Sequence, residues 1–221
     1  RAHDGQALAV DGYRVLTDTV TVLASTTVER DYRLVPAPRI LLVDGDAWAY
    51  GSAIDYFRDS LRRLGYVYHD WRVTDESAGA GKAGGPPTAD DLGAYDVVIW
   101  SSAITGPTFV GGARPISAYL AAGGRVILSG QDALCTDART AVSTDVCNLK
   151  ARPDPYVRDQ LYVRVLSDRA DQWSVVGAAD GPLAGLALTL GGADSLGNQA
   201  VPDVVDVVDR INRDTRGGGR A

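Results

Sequence analysis

The stretch RILLVDGD at residues 39–46 decides the fold, because a short apolar run ends there in small and acidic residues. The same pattern recurs in YDVVIWS at residues 95–101 and in GGRVILSGQD at residues 123–132. Continuous apolar runs of this kind are typical of strands that are buried on both faces of a parallel sheet. These runs therefore predict an α/β core.

Between the predicted strands, apolar residues recur at the spacing of a helix. Ile54, Phe57 and Leu61 recur at intervals of three or four residues. This spacing predicts an amphipathic helix over Ser52–Leu64. The alternation of strands and helices predicts a doubly wound, mostly parallel, flavodoxin-like sheet. The other predicted elements are strands at Tyr66–Asp70, Asp96–Trp100 and Arg125–Leu128, helices at Thr88–Leu92 and Ala113–Ala122, and a flexible Gly- and Pro-rich loop at residues 74–87.

Periodicity is weaker after residue 132. The segment PYVRDQLYVRVL at residues 155–166 is compatible with a helix. Trp173–Val176 and Leu186–Leu190 are predicted to be strands at the edge of the sheet. The Gly-rich end, residues 211–221, is predicted to be a disordered tail. The α/β domain is therefore expected to span residues 39–210.

Residues 1–38 have a different character. TVTVLA at residues 19–24 alternates polar and apolar residues, as a half-buried antiparallel strand does. A few such strands do not form an independent domain. We therefore expect the C-terminal strands of a truncated β-sandwich domain, followed by a stiff linker at residues 35–38. The predicted strands are Tyr13–Leu16, Thr19–Ala24 and Thr27–Leu34.

Composition excludes some classes of partner. The 221 residues carry a net charge of −6, and Lys82 and Lys150 are the only lysines, so nucleic acid is not expected to bind. No apolar run reaches the length of about 18 residues that predicts a membrane-spanning helix.

The chain contains no methionine and begins at Arg1, so we expect it to be a piece of a longer protein.

The chain has two cysteines, Cys135 and Cys147. The polar, loop-like segment between them favours a local disulfide in an oxidising compartment, which would stabilise the fold by about 3 kcal/mol. Two unrelated reduced thiols are the alternative. A zinc site is not expected, because no histidine lies near either cysteine.

A ligand site in an open α/β sheet lies beyond the carboxyl ends of its strands. The residues that follow the predicted strands are therefore the candidate ligand rim. They comprise Asp44, Asp46, Trp48, Ser101, Ser102, Ser129, Gln131 and Asp132.

Three stretches carry a resemblance to a known family. Residues 41–73, DVVIWSSA at 96–103 and AYLAAGGRVILSGQD at 118–132 resemble the glutamine-amidotransferase-like, flavodoxin-like modules of large secreted bacterial proteins. Residues 181–205 are similar to the closing segment of such modules, and residues 12–36 resemble the end of a carboxypeptidase-regulatory-like β-sandwich. The resemblance implies an extracellular or cell-surface accessory module, often beside a subtilisin-like peptidase domain. Its partners would be the other domains of the parent chain.

Amidotransferase chemistry needs a nucleophile on a strand-to-helix elbow and a histidine base. The elbow position in this chain is LSGQD, where Ser129 is the candidate nucleophile. The only histidines, His3 and His69, precede it, whereas the partner histidine of the family follows the nucleophile. We therefore expect no catalytic residue in this chain. A divergent hydrolase that uses Ser129 with Asp44 or Asp132 remains the enzymatic alternative.

Two kinds of ligand remain open. Asp44, Asp46 and Asp132 could converge on a hard cation such as calcium, although an Asp-Gly-Asp turn has a purely local explanation. No other cofactor is expected, since VDGDAWAYGS matches no phosphate-binding loop and the strand ending Trp100-Ser101-Ser102 lacks the aspartate of a phosphoacceptor receiver. Aromatic side chains near strand ends could stack on a polysaccharide or another surface ligand. These aromatics are Trp48, Tyr50, Trp71 and Trp100.

Overall fold

The computed structural model describes residues 6–8, 10–21, 23–24, 26–49, 52–102, 105–130, 133–134, 156–167, 174–181, 183–189 and 204–207. Its strands are β1 (Gln6–Leu8), β2 (Leu16–Asp18), β3 (Ile40–Asp44), β4 (Tyr68–Arg72), β5 (Val97–Ser101), β6 (Val126–Ser129), β7 (Val163–Ser167), β8 (Ser174–Val176), β9 (Ala187–Thr189) and β10 (Val204–Val207). Its helices are α1 (Ile54–Arg63), α2 (Ala89–Gly93) and α3 (Ala113–Ala121), and Tyr156–Leu161 forms a π-helical turn.

A four-stranded sheet of order β4-β3-β5-β6 forms the centre of the fold, and its strand pairs are all parallel. Helices connect these strands, because parallel neighbours need a crossover. The predicted α/β class is therefore confirmed. The register places Asp44 beside Ser101 and Arg72, so the carboxyl ends of β3, β4 and β5 end level with one another.

β3 is buried along its whole length, as its continuous apolar run predicts. Leu41 and Val43 face a cluster that includes Ile116 and Tyr119 of α3. Leu42, which lies between them, faces the opposite cluster, which includes Ile54 and Leu61 of α1. Each fully buried aliphatic side chain of this kind stabilises the fold by about 1.5–3 kcal/mol, so β3 is the main contributor to the core.

The ends of the helices follow from local chemistry. Thr88 caps α2 through a reciprocal capping box with Asp91, so the helix predicted at Thr88–Leu92 is confirmed. α1 ends before Gly65, whose φ of +71° is a conformation that glycine adopts at little cost. Acidic Asp55 lies in the first turn of α1 and Arg62 in the last, an arrangement that complements the helix dipole.

The loop at residues 74–87 is hydrogen-bonded to itself and to the end of β4. The Trp71 indole Nε1 donates to the carbonyl oxygen of Gly85 at 2.9 Å. The amides of Thr74 and Asp75 donate to Gly84 at 2.8 and 3.0 Å. Residues 85–87 are buried. Gly81 and Gly84, whose φ angles are positive, supply bends of this compact loop.

The N-terminal segment differs from its prediction. β1 pairs antiparallel with β2, whereas no strand forms in the described residues of Thr19–Ala24 or in Thr27–Leu34. This segment is exposed and is tied back by side chains: the Tyr32 hydroxyl donates to Asp18 at 3.1 Å, and Arg30 lies 3.5 Å from the same carboxylate. The alternating pattern of residues 19–24 needs a partner strand to form a ladder, and the structure gives neither predicted strand such a partner among the described residues.

Arg14 joins the chain that precedes β3 to the α/β unit. The Val15 amide donates to the Gly65 carbonyl at 2.8 Å, directly after α1. The Arg14 guanidinium donates to the Leu64 carbonyl, and its central carbon lies 4.5 Å from the centre of the Tyr66 ring. A cation at a helix C-terminus and over an aromatic face is favourable on both counts. The segment is therefore docked on the end of α1.

The C-terminal elements also depart from expectation. Residues 155–166 were expected to be helical, but the π-helical turn stops at Leu161 and β7 follows it. Tyr162 between them has a φ of +56°, which a helix cannot contain. β7 pairs with β10, and β8 pairs with β9. The predicted strands near residues 174 and 187 are therefore confirmed as strands, but they pair with each other and not with the edge of the main sheet.

Several predictions lie outside the described residues. They concern Gln131, Asp132, the pair Cys135 and Cys147, and the tail at residues 211–221. Within the part of the chain that the structure does describe, no helix has both the length and the apolar character needed to cross a membrane.

Candidate functional site

The buried polar side chains of the described residues gather at one place, the carboxyl edge of the central sheet. They come from the end of β3, the end of β5 and the loops that follow these strands. We call this group the edge cluster; it comprises Asp44, Asp46, Ser101, Ser102 and Thr105. The sequence predicted that Asp44, Asp46, Ser101 and Ser102 would rim a site, and the structure brings them together but buries them.

Backbone hydrogen bonds extend the sheet beyond its strands and hold the edge cluster in place. The Gly45 amide donates to the Ser101 carbonyl at 2.8 Å, and the Ser102 amide donates to the Ser129 carbonyl at 2.8 Å. On the other side, the Val73 amide donates to the Asp44 carbonyl at 2.9 Å. The loops after all four strands are therefore bound to one another across this edge.

The two carboxylates of the edge cluster each accept a hydrogen bond from a hydroxyl. Ser52 Oγ donates to Asp44 Oδ1 at 2.8 Å, and Thr105 Oγ1 donates to Asp46 Oδ1 at 2.5 Å. Asp46 is 0% exposed. A buried carboxylate is costly unless donors surround it, so these hydroxyls are part of what allows the cluster to form.

Sequence reasoning missed Ser52 and Thr105. Ser52 lies just before α1, and its hydroxyl also accepts from the Ile54 amide at 3.3 Å, so its place at a helix start was a usable signal. Thr105 lies 59 residues from Asp46 along the chain, and no local pattern marks it.

Trp100 fills the space beneath the edge cluster. It is 1% exposed, and its indole Nε1 donates to Ser102 Oγ at 3.0 Å. A Cβ on Gly45 would approach the same nitrogen to 2.5 Å, and a Cβ on Gly112 would collide with the far edge of the ring. Trp100 was a candidate for ligand stacking, but the structure makes it a core residue whose ring requires glycine at two neighbouring positions.

Trp48 lies closer to the surface of the same edge. It is half-buried, and its indole Nε1 donates to the Gly45 carbonyl at 3.1 Å. Its ring stacks on Phe109 with 5.3 Å between ring centres and an interplanar angle of 14°. Phe109 was not predicted. Of the other aromatic candidates, Trp71 is anchored to Gly85 as described above, and Tyr50 lies outside the described residues.

Ser129 is the last residue of β6 and is half-buried. The nucleophile of a hydrolase elbow occupies a strained turn, but Ser129 is not among the residues with a positive φ. The next residue, Gly130, packs directly against the loop at Ser102, because a Cβ on Gly130 would overlap the Ser102 carbonyl oxygen. The bend after Ser129 is therefore a close crossing of two loops.

His69 lies on β4, three strands away from Ser129 in the order β4-β3-β5-β6. Neighbouring strands are about 4.8 Å apart, so the two residues are separated by about 14 Å across the sheet. His69 Nδ1 lies 2.8 Å from the Tyr95 hydroxyl instead. Burial raises the pKa of Tyr95, and the charges of Asp11 and Asp91 raise it further. His3, the other histidine, lies outside the described residues.

The proposed cation ligands are described only in part. Asp44 and Asp46 lie together in the edge cluster, whereas Asp132 lies outside the described residues. Within the described ranges, no group of three or more histidine, cysteine, aspartate or glutamate side chains is placed to hold a metal ion. Calcium binding therefore stays a prediction.

Comparisons of this chain with protein-family models, with curated proteins and with solved structures found no match.

The Thr105→Val substitution tests whether the edge cluster is structural. Valine keeps the shape of threonine but removes the hydroxyl that donates to the buried Asp46 carboxylate. We expect the free energy of unfolding to fall by about 1–3 kcal/mol, measured by urea denaturation, because the buried Asp46 carboxylate loses one hydrogen-bond donor.

Thr26→Val is the matched control. The Thr26 hydroxyl donates to the Leu23 carbonyl at 2.8 Å but is exposed, so water replaces the lost bond. We expect a change within about 0.5 kcal/mol for this variant. Equal effects in the two variants would contradict a structural role for the Thr105 hydroxyl.

Proposed function

We propose that this chain is a non-catalytic accessory or interaction module of a secreted or cell-surface multidomain protein. The resemblance described above suggests a parent with a subtilisin-like peptidase domain, whose other domains would be the partners of this module. The domain organisation that this resemblance implies is a flavodoxin-like α/β domain preceded by the last strands of a β-sandwich. One observation supports a non-catalytic role best. Polar side chains at the carboxyl edge of the sheet form hydrogen bonds with other groups of the protein.

Four of the five polar side chains in the edge cluster have a hydrogen-bond partner within the protein. The hydroxyls of Ser52 and Thr105 donate to Asp44 and Asp46, and the hydroxyl of Ser102 accepts from Trp100. A catalytic acid, base or nucleophile must reach a substrate atom at hydrogen-bond distance. Side chains that are at most 6% exposed and bonded to their neighbours are better suited to holding loops together.

The geometry around Ser129 also supports this proposal over the hydrolase alternative. A serine nucleophile needs a base within about 3 Å, and the histidine of the described residues lies about 14 Å away across the sheet. Asp44, one of the two acidic partners considered for Ser129, is 3% exposed and accepts from Ser52. The other, Asp132, lies outside the described residues. Neither His69 nor Asp44 is therefore placed to act as the base that activates the Ser129 hydroxyl.

The docking of the N-terminal segment supports a role within a larger assembly. Arg14 contacts the end of α1 through a hydrogen bond and a ring contact, and the Arg14 amide donates to Val35 at 2.9 Å. The chain on the N-terminal side of the sheet is therefore held against it instead of hanging from a free linker. Such an attachment would fix the orientation of the α/β unit relative to a preceding domain.

A fluorophosphonate probe tests the proposal, because it modifies only activated serine hydroxyls. We expect the intact mass of the protein to remain unchanged after incubation with the probe. We also expect no hydrolysis of aryl esters or peptide substrates above the buffer rate.

Ser129→Ala and Ser60→Ala are the paired variants for this experiment, since Ser60 is exposed on α1. A single covalent adduct that is lost in Ser129→Ala and kept in Ser60→Ala would refute the proposal and establish the hydrolase. A known serine hydrolase, labelled in parallel, shows that the probe is active.

Carbohydrate binding is the second candidate, and the Trp48–Phe109 stack is the observation that favours it. Both rings are half-buried at the carboxyl edge of the sheet, where open α/β folds bind ligands. Aromatic faces held in a fixed orientation suit the apolar face of a sugar ring. The stack would then be a binding platform on a rigid support.

Retention on insoluble polysaccharides tests this candidate. If it holds, Trp48→Ala loses the stacking contact of about 0.5–1.5 kcal/mol, which weakens binding by up to about tenfold. Tyr56→Ala is the control, because Tyr56 is an aromatic on α1 that is 57% exposed. The carbohydrate candidate is excluded if the unaltered chain is not retained, or if both variants bind as it does.

A further inference from the structure

Residues 27–34 lie on the surface, outside every helix, strand and turn of the structure. We call this stretch the surface segment. Its residues 27–33 are all exposed. Among the described residues, none of its backbone N–H or carbonyl groups forms a hydrogen bond with another backbone group. Exposed chain with unbonded backbone is where folded proteins are cut, because it enters the cleft of a protease without unfolding. The surface segment is therefore a candidate site of proteolytic modification.

The body of the protein holds the chain on both sides of the surface segment. The Arg14 amide donates to the Val35 carbonyl at 2.9 Å, and the Ala37 amide donates to the Gly12 carbonyl at 2.9 Å. These two bonds bring the start and the end of the intervening chain together. The intervening chain therefore leaves the fold and returns to it at one place, and the surface segment belongs to its returning part.

The charges of the surface segment indicate which peptide bond a protease would cut. Proteases that cut after a basic residue hold its side chain in a pocket with an acidic group. Arg30 lies 3.5 Å from the Asp18 carboxylate and directly precedes the acidic Asp31. Arg33 is exposed, forms no ion pair with any described residue, and precedes the uncharged Leu34. Arg33 is therefore better placed than Arg30 to enter such a pocket.

A second Arg-Leu pair in the chain shows what distinguishes Arg33. Arg63 and Leu64 have the same two side chains, and both are exposed. Arg63 is the last residue of α1, and the Leu64 amide donates to the Ser60 carbonyl at 3.0 Å. A protease can bind this pair only after the end of α1 opens locally. The two peptide bonds thus differ in how their backbone is held and not in their side chains.

We propose that the Arg33–Leu34 peptide bond is a processing site for an arginine-specific endopeptidase. Hydrolysis of this bond consumes one water molecule, leaves a carboxylate on Arg33 and gives Leu34 a free amine. The bond lies between β2 and β3, so the cut breaks the covalent link between the N-terminal strands and the α/β unit. This proposal does not depend on the function proposed above.

Limited digestion of the complete folded chain with trypsin tests the proposal, with trypsin as the probe for this class of protease. New amino termini are labelled and identified by mass spectrometry over a time course. We expect a terminus at Leu34 in the folded protein, whereas a terminus at Leu64 forms only after α1 opens. In urea, where neither pair is held by the fold, we expect both termini to form at similar rates.

Three variants assign the cut to Arg33. Arg33→Gln is expected to lose the Leu34 terminus, and Arg33→Lys is expected to keep it, because trypsin also cuts after lysine. Arg63→Gln is the matched control, since it removes the exposed arginine of the other Arg-Leu pair and should leave the Leu34 terminus unchanged. Circular dichroism of each variant shows that the fold is retained.

The relative rates in the folded protein decide the outcome. The proposal is overturned if the Leu34 terminus forms no faster than the Leu64 terminus without urea. Cleavage after Arg30 that outpaces cleavage after Arg33 would also overturn it, because the ion pair with Asp18 would then give no protection.

Discussion

The packing of the Trp100 indole beneath the carboxyl edge of the sheet is the constraint on which the rest of the structure depends. Its ring fills the core between β5 and α3, and its nitrogen donates to the Ser102 hydroxyl. The same ring requires the absence of a side chain at Gly45 and Gly112. One side chain therefore couples the apolar core to the polar loops above it, and neither can be rearranged without the other.

This coupling changes the meaning of the polar residues at the edge of the sheet. In an open α/β sheet this edge is where ligands are expected, and Asp44 and Asp46 lie there as predicted. Their carboxylates, however, accept from Ser52 and Thr105 inside the protein. The edge cluster is thus a polar continuation of the core. The half-buried Trp48 ring, stacked on its neighbour at the same edge, is better placed to meet a ligand.

The parts of this molecule that could be predicted from sequence are those set by local pattern. The continuous apolar run at residues 40–44 predicted a strand buried on both faces, and Thr88 marked the start of α2. The hydrogen bond between Thr105 and Asp46 could not be predicted, because the two residues are 59 positions apart along the chain. The alternating segment at residues 19–24 was wrongly predicted to be a strand for a related reason, since a strand forms only where another strand pairs with it.

Native-state hydrogen exchange is the most direct test of the claim that the edge cluster belongs to the core. The relevant protons are the indole N–H of Trp100 and the amide of Gly45, compared with the amide of Leu42 in the middle of β3. The account predicts that all of these protons exchange only through global unfolding, with the same free energy of opening. Exchange of the Gly45 and Trp100 protons through local opening, at a free energy well below that of Leu42, would contradict it.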